Sequence, residues 1–222
     1  MPSNHNEGRG LIAGPGHRFI WPLVGVFLLG LALNSTWLAL LGLAGAAFFT
    51  YFFRDPERPI PQEPGIVISP ADGKVIALDE VMEEKFLGRP AKRVSIFMNV
   101  FDVHVNRAPV AGTVAASSHR DGCYKVASCP AAAQVNEQQA TLLEAEAGRR
   151  VLVVQIAGLL ARRIISFVTP GQTLARGERF GMICFGSRVD LYLPPDTEFL
   201  VKVGDKVQAG SSILGRWWLN AA

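Results

Sequence analysis

Two apolar runs separated by three residues constrain this chain more than any other feature. Phe19 to Leu33 is a continuous apolar run interrupted only by Pro22, Asn34-Ser35-Thr36 breaks it, and Trp37 to Phe53 is apolar again. As one straight helix, residues 19–53 would be about 52 Å long, against a hydrocarbon core of roughly 30 Å. Two helices joined at the polar break, each slightly short of a full span, fit better. The sequence therefore predicts a membrane-associated helical hairpin over 19–53. Arg18 precedes it, Arg54 and Arg58 follow it, and no charge lies in the turn, so both ends belong on the cytoplasmic side. Trp21, Trp37 and Tyr51 suit the interfaces. A secretory signal peptide is the competing reading, but the apolar length is too great and no small-residue cleavage site follows. The hairpin also accounts for a hydrophobic fraction of 49% beside only 18% charged residues.

Residues 1–18 are polar and rich in glycine and read as a disordered tail. Residues 54–65 hold Pro56, Pro59, Pro61 and Pro64, which forbid a helix and mark a linker. From residue 66 onward the pattern is short strands punctuated by Gly and Pro: Ile66–Ile68, Lys74–Leu78, Arg93–Val100, Val110–Ala115, Val151–Ala157, Arg162–Val168, Phe180–Phe185, Val189–Leu193 and Glu198–Val203. Residues 117–148 lack a sustained period and read as a long loop. Residues 79–88 read either as an amphipathic lip beside a bilayer or as a surface loop. No convincing amphipathic helix follows the linker. The expected fold is mainly β, a compact barrel or sandwich over 66–222. Gly171-Gln172-Thr173-Leu174-Ala175-Arg176-Gly177 echoes Gly204-Asp205-Lys206-Val207-Gln208-Ala209-Gly210, a quasi-repeat like that of hammerhead sandwiches.

Three places carry residues fit for chemistry. In Phe180 to Pro194 two strand-like runs meet at Gly186-Ser187; Val189, Leu191 and Leu193 alternate with Arg188, Asp190 and Tyr192. Ser187 is a nucleophile candidate, and a Gly-Ser bulge is the bland alternative. His104 shares a strand phase with Asp102 and Asn106 and suits a general base or acid; a structural histidine at a sheet edge is the alternative. Asp72, in Ser69-Pro70-Ala71-Asp72-Gly73-Lys74-Val75, is either a turn aspartate or the group that orients a histidine. The net charge of +3 comes without a dense basic cluster, which argues against nucleic acid as a partner. Three cysteines without CxxC spacing, and two histidines beyond the tail, argue against structural zinc, so no metal is expected.

On these residues the chain resembles the short, proteobacterial-type phosphatidylserine decarboxylases, which are pyruvoyl-dependent. The matching segments are Ser69 to Val75, Phe97-Met98-Asn99-Val100-Phe101-Asp102-Val103-His104-Val105-Asn106-Arg107, Asn136-Glu137 and Phe185-Gly186-Ser187-Arg188-Val189-Asp190. The resemblance covers roughly residues 50–215. It implies a proenzyme that cuts itself between Gly186 and Ser187, with Asp72 and His104 activating the serine. The products are a β chain of residues 1–186 and an α chain of 187–222, held together as a heterodimer. Ser187 becomes a pyruvoyl group, the covalent cofactor, which forms a Schiff base with the substrate amine and accepts electrons on decarboxylation. The implied reaction converts phosphatidylserine into phosphatidylethanolamine, with membrane lipid as the setting. The implied location is the inner cell membrane, with the catalytic domain on its cytoplasmic side. Phe101 stands where longer bacterial relatives carry a second histidine; His119, in the expected loop, is the other histidine beyond the tail.

Two other classes of function fit parts of the sequence. A membrane-anchored hammerhead-type adaptor would explain the anchor and the glycine echo but not Gly186-Ser187. A serine hydrolase acting on lipids would use Ser187, His104 and Asp72 and leave the chain intact.

Overall fold

The computed structural model describes residues 10–217 except 126, 128, 130, 131, 160–162 and 185. The chain forms two compact units that divide between Glu57 and Arg58.

In the first unit, α1 (His17–Ala32) and α2 (Thr36–Phe52) form a hairpin. A 3-10 turn over Gly14–Gly16 leads directly into α1, so helical structure begins before the boundary that the polar composition suggested. Pro22 lies in the second turn of α1 and does not end the helix. Asn34, at φ +50°, makes the reversal between the helices. Small residues set the spacing: Gly30 lies against the backbone of Ala39 and Gly42 against that of Phe27, where a Cβ would not fit. Phe19 stacks on Phe49 and Phe53 at 5.1 and 5.5 Å between ring centres. Counted from Gly14, the first helical segment has 19 residues, long and apolar enough to cross a membrane; Thr36–Phe52 is shorter.

The second unit is mainly β. Its described strands are β1 (Ile66–Ile68), β2 (Gly73–Glu83), β3 (Arg89–Met98), β4 (Val105–Arg107), β5 (Gly112–Arg120), β6 (Gln138–Glu144), β7 (Arg150–Ile156), β8 (Ile164–Ser166), β9 (Thr173–Leu174), β10 (Arg179–Ile183), β11 (Ser187–Leu193), β12 (Glu198–Phe199), β13 (Lys206–Val207) and β14 (Ile213–Arg216). One helical turn, α3 (Ala132–Val135), precedes β6. An eight-stranded sheet runs β13-β2-β3-β11-β7-β6-β5-β9, and two three-stranded sheets run β1-β14-β12 and β4-β10-β8. The expected loop over 117–148 is a correction: its first residues finish β5, and Gln138–Glu144 is β6, paired with both β5 and β7. Half of the expected lip is strand, and the rest is a turn. Residues 79–83 belong to β2, and the Glu83 carboxylate accepts the amide N–H groups of Phe86 and Leu87 at 2.9 and 2.6 Å. That turn folds Phe86 and Leu87 onto Leu152, Val154 and Ile156.

The glycine echo is part of a larger quasi-two-fold repeat. Gly171 and Gly204 donate to the carbonyls of Val114 and Val75, both at 2.8 Å. Gly177 and Gly210 donate to the carbonyls of Ala108 and Ser69, at 2.8 and 2.9 Å. All four glycines have positive φ, which is where a side chain strains the backbone. Within the echo, β9 and β13 close opposite edges of the large sheet. The sequence shows the rest of the repeat once it is aligned this way: Ser69-Pro70-Ala71-Asp72-Gly73-Lys74-Val75 corresponds to Ala108-Pro109-Val110-Ala111-Gly112-Thr113-Val114. The two copies interlock. Ile68 N–H donates to Pro109 O and Arg107 N–H to Pro70 O, each at 3.0 Å.

One face of the large sheet packs into the main core, and Phe86, Leu87 and Ala133 lie against part of the other. Val94, Ile96, Met98, Val151, Val153, Val189, Leu191 and Leu193 join the main core with residues of the two small sheets. Burial of this apolar surface, at about 25 cal/mol per Å², is the main stabilising contribution.

Candidate active site

The interlock of the two copies brings the motif segments together. Ser69 to Gly73 leads from β1 into β2, and Val103 to Arg107 leads into β4. The reciprocal bonds through Pro70 and Pro109 hold these two segments side by side. Asn106 strengthens the join: its Nδ2 donates to Pro70 O at 3.3 Å and lies 3.8 Å from Met98 Sδ. Ser187 is the first residue of β11 and pairs with Met98. It is 0% exposed, and its hydroxyl lies 3.4 Å from the same sulfur atom. Gln155, beside Val189 on β7, donates to Asn106 Oδ1 at 2.7 Å. Its Oε1 is buried and has no hydrogen-bond donor among the described residues.

His104 is fully buried, and its carbonyl accepts the Ile183 amide at 3.2 Å, tying it to the end of β10. It does not lie on a continuous strand with Asp102. β3 ends at Met98, and Asn99 to Asp102 form a turn. The Asp102 carboxylate accepts the Asn99 N–H and Asn99 Oδ1 accepts the Phe101 N–H, both at 2.8 Å. Short polar side chains that bond nearby backbone compete with the sheet, so the expected strand phase fails there. Phe101, at the tip of the turn, is 64% exposed. His119, expected in a loop, is on β5, where Nε2 lies 3.2 Å from Asp121 Oδ1 and 3.8 Å from Glu137 Oε1.

Asp72 is buried. Its Oδ1 accepts the Ala209 N–H at 2.7 Å, and its Oδ2 accepts Arg58 NH2 at 2.9 Å. Burial pushes its pKa above the usual carboxylate value, and the charge of Asp102 adds to the rise; the Ala209 amide and Arg58 oppose it. An ordinary turn aspartate would sit in water. In the sister copy the corresponding residue is the exposed Ala111. Asp72 thus departs from the repeat in both charge and burial, and the difference in charge is visible in the sequence once the second copy is aligned.

The sequence of this chain matches the phosphatidylserine decarboxylase family over residues 46–215. The chain belongs to the phosphatidylserine decarboxylase family. Among its relatives, each called a phosphatidylserine decarboxylase proenzyme, that of Symbiobacterium thermophilum is 50% identical over 199 residues, covering 88% of this chain and 93% of the relative. That of Desulfotalea psychrophila is 45% identical over 205 residues, covering 92% and 96%. That of Magnetococcus marinus is 43% identical over 213 residues, covering 95% and 97%. These phosphatidylserine decarboxylase relatives lend no support to the adaptor or hydrolase readings.

On the opposite face of the large sheet, Arg188 and Asp190 of β11 are buried and Tyr192 is half-buried. Arg188 and Asp190 form a buried fork, with Nε–Oδ1 at 2.6 Å and NH2–Oδ2 at 2.8 Å, and Arg188 NH2 also donates to Ser95 Oγ at 2.9 Å. Asp190 and Tyr192 line a cavity of about 200 Å³ floored by Leu152, Val154 and Ile156. Arg93 bonds Asp79 at 2.6 Å along the same side of β3. The sequence alternation puts Arg188, Asp190 and Tyr192 on the second phase of the strand but carries no sign that Arg188 and Asp190 are buried.

Proposed function

We propose that this chain decarboxylates phosphatidylserine to phosphatidylethanolamine with a pyruvoyl group that it makes from its own Ser187. The observation that carries the reading is a fully buried serine that opens β11 directly after Gly186 at φ +57°, beside the interlocked segments of Asp72 and His104. The proenzyme character of the relatives supports it.

In the first stage Ser187 Oγ attacks the carbonyl carbon of Gly186. The hydroxyl proton passes to the His104 imidazole and then to the Ser187 nitrogen as the C–N bond breaks, leaving an ester. Asp72 orients His104 and offsets its positive charge. Removal of the Ser187 Cα proton expels the Gly186 carboxylate and leaves dehydroalanine at position 187. Its imine tautomer takes up water and loses ammonia. The products are residues 1–186 and 187–222, which stay together through the pairing of β11 with β3 and β7.

The residues around position 187 fit a small keto-amide: Met98 and the core close one side, and the buried Gln155 Oε1, an acceptor without a donor among the described residues, suits an N–H of the substrate amine. Once formed, the pyruvoyl group supplies an electron sink for the carbanion left by loss of CO₂. His104 delivers the proton to the substrate carbon. The apolar helical unit anchors the chain in the inner membrane, and Arg18, Arg54 and Arg58 favour a cytoplasmic catalytic unit.

The test is a denaturing gel with intact mass, run beside an assay of phosphatidylserine vesicles. Two chains divided at 186/187, with a blocked α chain, and release of phosphatidylethanolamine are expected; Ser187→Ala stays whole and inactive. An intact, active wild-type chain would reject the proposal.

A further inference from the structure

We propose that Gly158 and Asn136 form a positioning unit that fixes the Gly186 carbonyl for attack by Ser187. This rests on the self-processing reading above and assigns that step two residues outside the Asp72, His104 and Ser187 set.

Gly158 follows β7 and is buried. A Cβ built on it would overlap the Gly186 carbonyl oxygen and come within 3.2 Å of the Ala127 Cβ. The hydrogen that takes the Cβ position in glycine therefore faces that oxygen, as in a Cα–H···O contact. The oxygen is the one that gains negative charge when Ser187 Oγ adds to the carbonyl carbon. Its direction sets the plane of the carbonyl and hence the face open to the serine. Gly186 differs from Gly158 in its demand for glycine. It has positive φ, but a Cβ on it would meet nothing within 4 Å. The crowding at this peptide comes from Gly158 alone of the two.

Asn136 holds Gly158 in place. It is 0% exposed, and all three of its side-chain bonds go to backbone. Its Nδ2 donates to Ala157 O and to Lys125 O, both at 2.7 Å, and its Oδ1 accepts the Lys125 N–H at 2.9 Å. Ala157 is the residue next to Gly158, and its own N–H donates to Glu137 O at 3.0 Å. Ala157 is thus bound from both its N–H and its carbonyl. Gly122 closes on the backbone of Asn136 from another side, where again no Cβ would fit. A buried amide with every bond made to backbone fixes local geometry more strongly than surface bonds do. The chain from Asn136 through Ala157 to Gly158 thereby transmits its position to the scissile carbonyl.

The test uses the full chain with Gly158→Ala and, separately, Asn136→Asp, which keeps the shape but removes both donated bonds. Processing is followed by gel and intact mass, folding by circular dichroism and thermal midpoint. Uncut protein is treated with hydroxylamine under native conditions, which cleaves an ester at 186/187 but not an amide. Misplacement of a reacting group by about 1 Å costs roughly 100-fold in rate, so Gly158→Ala is expected to slow processing by about that factor. The uncut chains are expected to be folded and resistant to hydroxylamine, because the ester never forms. Asn136→Asp is expected to slow processing by about 10-fold or more in the same manner. Processing of either variant at the wild-type rate overturns the proposal. So does an uncut variant that hydroxylamine cleaves, since the carbonyl was then correctly placed. If Gly158→Ala does not fold, Asn136→Asp decides by the same criteria. An uncut wild-type chain would overturn the self-processing reading itself and so is distinct from failure of either variant.

Discussion

Replacing Asp190 by Asn tests whether the covered polar side of β11 holds the α-chain segment in place. The Arg188–Asp190 fork has side-chain exposures of 5% and 0%, and the only further bond of Arg188 among those described goes to Ser95. Asp190→Asn keeps the volume and leaves the Arg188 charge buried without its counter-charge. Breaking such a pair costs about 3–5 kcal/mol, because the remaining charge is not solvated. For a domain of this size each kcal/mol lowers the thermal midpoint by about 2–4 °C, so the expected loss is about 6–20 °C. The assay is thermal unfolding in detergent, in the Ser187→Ala background so that the chain stays continuous. Replacing both partners with apolar residues, Arg188→Met with Asp190→Leu, removes both charges together, and its expected midpoint is close to the parent's. A single variant within about 1 kcal/mol of the parent would refute the argument. So would a double variant as damaged as the single one.

Asp72 gives a pH signature. Burial, its largest cause, raises the folded pKa above 3.8, so the fold favours the protonated form. The stability this contributes is present below the unfolded pKa and is lost as pH rises through the folded one. Asp72→Asn is expected to flatten the stability curve across that window while slowing processing at least about tenfold; an unchanged curve would remove the burial argument. Cys184 has its thiol pushed up to about 11 by burial, against the opposing charge of Arg163. Alkylation of native protein at neutral pH is expected to label the exposed Cys123 and Cys129 and to spare Cys184, which mass mapping can check; rapid labelling of Cys184 would contradict it.

The readable parts of the sequence were those in which one physical signal acts alone. Val189, Leu191 and Leu193 alternate because one face of β11 enters the main core, and the structure buries all three. Alternation cannot say whether the other face meets water, so the burial of Arg188 and Asp190 had no sequence signal. β6 was hidden because Gln138 and Gln139 lower its hydrophobicity, although Gln139 is buried and bonds Ser117 Oγ at 2.8 Å. The phase from Asp102 to Asn106 misled because Asn99 and Asp102 bond their own turn. The motif residues, Asn136 among them, were legible through the family resemblance, whereas Gly158 stands out only when its close approach to the Gly186 carbonyl is known.

The repeat offers a sharper test of Asp72 than its removal. Its two copies share Pro at 70 and 109, Gly at 73 and 112, and Val at 75 and 114. Gly73 lies against the carbonyl of Phe97 and Gly112 against that of Glu144, so the glycines serve the same close packing in both. If Asp72 served only the turn, Ala111 would need a carboxylate equally; it has none and is exposed. Moving the carboxylate by combining Asp72→Ala with Ala111→Asp keeps the net charge and puts the acid at a solvated site, where it costs little. The double variant is expected to fold, to stay whole on a gel, and to match Asp72→Ala alone in processing rate. Restored processing would mean that a carboxylate anywhere in the repeat suffices, and Asp72 would lose its proposed role toward His104. Retention of the defect would locate the chemistry where the two copies differ: one carries the buried acid, and the other leads through β10 to the serine.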